Sequence, residues 1–141
     1  MPSITGTTNV TRPGQGGFLG YQYVVLRCVP RVEREEFVNV GVVLFAQGVS
    51  FLEAAFHLDH PRLLALSPGL DVEQVHHALV AVHRVCRGET GRGLPTLETP
   101  GQRYGWITAA RSTVLQPGPR HGGVCVDPET ELARLVQTLV R

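Results

Sequence analysis

Lysine is absent from this sequence: all 13 basic side chains are arginine, set against 12 acidic ones, for a formal net charge of +1. A chain with so little charge excess has no general electrostatic grip on nucleic acid or on an anionic membrane, which argues against both as partners. With heavy Val, Ala and Gly usage, the arginine bias reads as the composition of a high-GC bacterial genome. A forked guanidinium is still the better contact for a carboxylate or a phosphate. Cysteine is scarce. Cys28, Cys86 and Cys125 lie far apart in apolar neighbourhoods and have no metal-site spacing. They read as small buried hydrophobes in a reducing cytoplasm. No apolar run is long enough to span a bilayer, and no basic segment followed by an apolar one marks a secretory leader. The expectation is a cytoplasmic protein.

The usual catalytic signatures are missing as well. There is no Gly-x-Ser-x-Gly elbow, no Walker loop and no dinucleotide fingerprint. Carboxylates near the apolar segments are limited to Glu33, Glu35, Glu36 and Glu53, from which no glycosidase-type pair can be argued. The six histidines do not make a metal site. His57 and His60 straddle a strand end and a helix start, and adjacent His76 and His77 diverge by about a hundred degrees on a helix. His83 lies too far beyond His76 to share a small ion, and no histidine–acid spacing matches a zinc pattern. No metal, cofactor or catalytic residue is assigned, and the reading leans away from an enzyme.

What the sequence does contain is Phe37-Val-Asn-Val-Gly-Val-Val-Leu-Phe45, its most apolar and β-branched run. It reads as the central strand of a small sheet, apolar on both faces because it lies between neighbours. Asn39 and Gly41 are foreign to such a strand. Asn39 should be buried with its amide satisfied, because an unpaired buried amide costs about 1–3 kcal/mol. Gly41 should sit where a side chain would clash or bend the strand.

The length suits one domain, which needs no staples. Residues 1–17 carry Thr, Gly and Pro without periodicity and read as a disordered tail, leaving 18–141 as the domain. A first strand, Tyr21–Val29, alternates Tyr21, Tyr23, Val25 and Arg27 on one face with Gln22, Val24, Leu26 and Cys28 on the other. Pro30 ends it. The second strand ends at Ala46, Gln47-Gly48 reads as a turn with glycine taking the positive φ, and a third strand runs from about Ser50 to Phe56. Asp59-His-Pro-Arg opens a short helix to Leu66, with proline near its first turn, and Asp71 is the N-cap of a longer one to about Arg87, a cap worth about 1 kcal/mol. Val72, Val75, Leu79, Val82 and Cys86 stripe the longer helix, and Gly88 ends it. Residues 88–102 read as a long loop, 103–107 as a helical turn, 112–115 and 123–126 as short strands around a turn at 117–119. Asp127-Pro-Glu opens a last helix, striped by Leu132, Leu135, Val136 and Leu139. The expected fold class is α+β: an antiparallel sheet, with a β-meander in the N-terminal half and one or two later strands, packed against helices on one face.

The candidate site residues are distributed: Arg27 at the end of the first strand, Glu36 and Asn39 at the start of the second, and Arg103, Arg111 and Ser112 in a later polar segment that also holds Trp106, Thr113 and Gln116. Anchored by Tyr104, Trp106 and Ile107, that segment would approach the Arg27–Asn39 end and hold an anion or a partner's acidic side chain. The structural alternative is an Arg27–Glu36 pair that ties a loop, with Asn39 bonded to backbone.

Tyr23-Val-Val-Leu-Arg-Cys-Val-Pro30, Glu36-Phe-Val-Asn-Val-Gly-Val-Val-Leu-Phe45, the segment Arg103–Pro117 and the Asp127-Pro-Glu-Thr-Glu-Leu helix start together resemble an uncharacterised bacterial family of short proteins, domain-of-unknown-function family 3037. The resemblance covers nearly everything after the tail. It brings no established activity and no catalytic residues. Its members are often encoded beside HipA-type kinases, toxin-like serine/threonine kinases, and the resemblance therefore implies such a kinase as a partner. Two functions are open: a non-catalytic accessory or protein-interaction domain, or a small-molecule, phosphate or nucleotide binder with a weak enzymatic role that uses Arg27, Asn39, Arg103 and Arg111.

Overall fold

The computed structural model describes residues 17–109 and 113–141. Residues 1–16 of the expected tail, together with Arg111 and Ser112, lie outside the described residues. Strands β1 (Leu19–Cys28), β2 (Val38–Ala46) and β3 (Phe51–Phe56) form an antiparallel meander with β2 in the middle. The other edge of β1 is shared. β4 (Leu115–Pro117) pairs with its C-terminal end, Leu26 to Cys28, and β5 (His121–Cys125) with its N-terminal end, Leu19 to Tyr23. Between them the chain bends through Pro117–Pro119, where the Gly118 N–H donates to the Val25 carbonyl at 2.8 Å.

The sheet is covered on both faces, not on one. On the first face Val24, Leu26 and Cys28 of β1 and Val43 and Phe45 of β2 pack under helices α1 (His60–Leu66), α2 (Val72–Cys86) and α3 (Pro100–Thr108). On the second, Leu19 and Tyr21 of β1 and Val42, Leu44 and Ala46 of β2 pack under α4 (Pro128–Leu139). The apolar stripe of the last helix is what makes the second layer. It can bury itself only against the remaining free face of an already apolar β2.

Local chemistry places the helix starts as the sequence suggests. Asp59, Asp71 and Asp127 each accept a backbone N–H of the first turn, from Arg62, Gln74 and Glu129. Val75, Leu79 and Cys86 of the α2 stripe are buried, and Gly88, at φ 76°, follows the helix end. Two local readings need correction. The turn after β2 is a 3₁₀ turn, Gln47–Val49, whose left-handed residue is Ser50 at φ 53° and not Gly48. The supposed loop 88–102 ends in a full helix start: Thr99 and Gln102 form a reciprocal capping box, with Pro100 in the first turn of α3.

Candidate functional site

At the start of β2 the register against β1 slips. Leu26 faces Gly41 while Arg27 faces Asn39, so Val40 is an extra residue, a β-bulge. The slip changes which side each residue takes. Val40 joins the core of the first face, and Asn39 is sent to the α4 face, where its amide donates to the Leu139 carbonyl at 3.1 Å. Gly41 is required beside it, since a Cβ there would stand 3.0 Å from the Ala55 carbonyl oxygen and 3.1 Å from the Phe56 Cβ. Asn39 is only half as well satisfied as expected: it is partly buried, and its Oδ1 has no partner among the described residues. The neighbouring carbonyl of Val140 accepts from Arg62 at 3.2 Å. Asn39 and Arg62 thus hold two of the carbonyls that the end of α4 leaves without intrahelical partners.

The other expected members do not converge there. The Arg27 guanidinium lies 4.2 Å over the Phe37 ring and against Gly118. Glu36 does not pair with Arg27: its carboxylate takes a forked contact from Arg34 at 2.8 and 3.1 Å on the exposed 3₁₀ turn Val32–Arg34. Proximity in sequence wins, because the turn places these two residues side by side. Arg34 holds the Glu36 carboxyl below the usual carboxylate range. Arg103 does not approach the Arg27–Asn39 end. On the α3 side of the sheet it donates to the Leu97 carbonyl at 3.2 Å, and its guanidinium stacks beside Gly88. Arg27 and Asn39 belong to the α4 face. Arg27 and Asn39 are therefore the members brought together; Glu36 and Arg103 are turned to local structural contacts.

The titratable groups of the interior belong to the fold. The Tyr21 hydroxyl donates to Glu131 at 2.5 Å, and Arg134 grips the same carboxylate at 2.7 and 2.9 Å. Burial and the adjacent carboxylate push Tyr21 up to about 12, while Arg134 holds Glu131 low. Burial pushes the Cys28 thiol up to about 11 and Cys86 to about 12, so both are poor nucleophiles. Among the described residues no three His, Cys, Asp or Glu side chains gather as a metal site. No helix there is long and apolar enough to cross a membrane.

Two surface features remain. One is an apolar hollow of about 170 Å³ between α2, α3 and β4, lined by Leu26, Ala78, Val82, Ile107 and Leu115. The other was not anticipated from the sequence. At the β5 end of the sheet Phe18, Val124 and Val126 are 59%, 66% and 43% exposed. Val124 lies opposite Gly20, where a Cβ would meet nothing within 4 Å, so this corner of the α2/α3 face stands open. Among the described residues β5 pairs only with β1, which leaves its outer edge free. A pair of glycines followed by alternating valines, Gly122-Gly123-Val124-Cys125-Val126, was the available signal.

No curated protein and no solved structure matches the chain. A family match does extend over the bulge, all four helices and β5, though it begins after Phe18 and the first residues of β1. The chain belongs to the family described as Protein of unknown function (DUF3037), whose model matches residues 23–140.

Proposed function

We propose that this protein is a non-catalytic interaction domain that binds another protein along the β5 edge, with a HipA-type kinase, as the resemblance implies, the first heterologous partner to try. The observation that carries this reading is the exposed trio Phe18, Val124 and Val126 beside a strand edge that no described residue pairs with. An edge strand offers a row of backbone donors and acceptors, and apolar side chains next to it supply affinity. Contiguous exposed apolar surface of this kind marks interaction sites more often than single exposed residues do. The anion-binding alternative has less support, since Arg103 is engaged by the Leu97 carbonyl away from Arg27 and Asn39.

The test is a comparative pull-down from the native host, read by mass spectrometry, with wild type, Val124→Asp and Arg27→Ala as baits. The reading expects one protein retained by wild type and Arg27→Ala and depleted at least tenfold with Val124→Asp. Identical captures by wild type and Val124→Asp would refute it.

A further inference from the structure

We infer that the β5 edge pairs with the β5 edge of a second copy of this chain, joining two sheets into one across a two-fold axis. This rests on the reading of that edge as an interaction surface and names one occupant for it. The helices leave the edge clear: α4 packs chiefly on β2 and β3, and α2 chiefly on β3. Within β5, the stretch Gly122-Gly123-Val124-Cys125 contains no proline and no acidic or basic side chain to guard the edge.

The argument for a second copy is self-complementarity. Most homo-oligomers are two-fold dimers, in which residue i of one copy meets residue j of the other and the reverse. An axis perpendicular to the sheet keeps every residue on its own face, so only residues of like parity can stand opposite each other across the new edge. One such register centres on Val124. It sets Val124 against its own counterpart on the open face, where each is 66% exposed in the single chain. It lays Val126, itself 43% exposed, over the side-chain-free Gly122 of the other copy. On the opposite face it brings His121 to Asp127, twice by symmetry. His121 is exposed and its ring stacks on Tyr23 of β1. Asp127 is exposed and its backbone is still extended, at φ −128° and ψ 109°. Moving the axis by one residue toward Gly123 instead opposes His121 to Cys125, and that polar contact is lost. The Val124-centred register combines apolar contact, space for Val126 and a histidine–aspartate contact.

The prediction is specific to the axis. In sedimentation velocity the full-length wild type should run at twice the chain mass. Val124→Asp and Val124→Lys, each folded by its melt, should run as monomers, because each places like charges face to face. An equimolar mixture of the two should return to the dimer mass. Monomeric wild type at every concentration, dimers that survive both substitutions, or a mixture that stays monomeric would each overturn the proposal. The first of these leaves the interaction reading standing if the Val124→Asp pull-down still loses a partner. A Val124-independent capture would sink that reading whatever the self-association.

Discussion

The bulged end of β2 and the edge of β5 are built from opposite materials and are used in opposite ways. The bulge holds the residues that are conspicuous in sequence, an amide and a glycine in an apolar strand, and the fold consumes both: Asn39 holds the end of α4, and Gly41 makes room for the backbone of β3. The β5 edge carries valines, the material of a core strand, yet Val124 and the following Val126 are exposed. A polar residue in an apolar setting is informative only once its partners are counted. An apolar residue at an unguarded edge is informative because it has none to count.

This contrast can be broken by mutation, and the largest effect belongs to the bulge. Gly41→Val should destabilise the protein by about 3 kcal/mol, at the upper end for overpacking, because the nearest obstacle is backbone. Urea denaturation measures it, and a value near zero would mean that β2 and β3 can part. Tyr21→Phe should cost about 1.5 kcal/mol, through loss of a hydrogen bond to a charged group. Its pH signature has two limbs. The Glu131 carboxyl is lowered in the folded protein, so its contribution holds above the ordinary carboxylate range and fades as pH falls through the lowered value. Tyr21 is raised to about 12, so its contribution is complete below the ordinary tyrosine range and disappears as pH rises through that value. Stability profiles of wild type and Tyr21→Phe should therefore converge at both extremes; parallel profiles would show that the pair is not coupled to folding.

Asn39→Ala should cost about 1 kcal/mol, less than a fully satisfied amide would, since its Oδ1 gains nothing in the fold. Combining it with Arg62→Ala should give less than the sum of the two losses, because both hold the end of the same helix. Strict additivity would mean that the two contacts are independent. Val124→Asp should be smallest of all on stability, within about 0.5 kcal/mol of wild type when both are compared at a dilution where the wild type is monomeric, while abolishing association. A large loss of stability at Val124 would place it on the bulge's side of the comparison.

Periodicity and capping made most of the fold legible. The alternation of Tyr21 to Cys28, the stripe from Val72 to Cys86 and the aspartate caps at Asp71 and Asp127 are local codes, and all of them appear in the structure. The capping box at Thr99–Gln102 was equally local and was hidden only by the glycines and prolines around it. The meander was legible too, but what the sequence could not disclose is register and docking. The extra residue at Val40 depends on what β1 offers opposite, and the second helical layer depends on where α4 docks. The same holds for the site. Asn39 was readable as a residue with a partner, but the partner lies 100 positions away. Arg103 and Arg27 looked alike in composition, and only the sheet between them separates their faces.

Hydrogen exchange resolved by peptide over a dilution series reads both regions in one experiment. The account predicts that the amides of residues 121–126 exchange faster as the protein is diluted, while those of residues 38–46 keep the same protection throughout. Exchange at 121–126 that is independent of concentration, or that changes in step with 38–46, would contradict the assignment of β5 as the working edge.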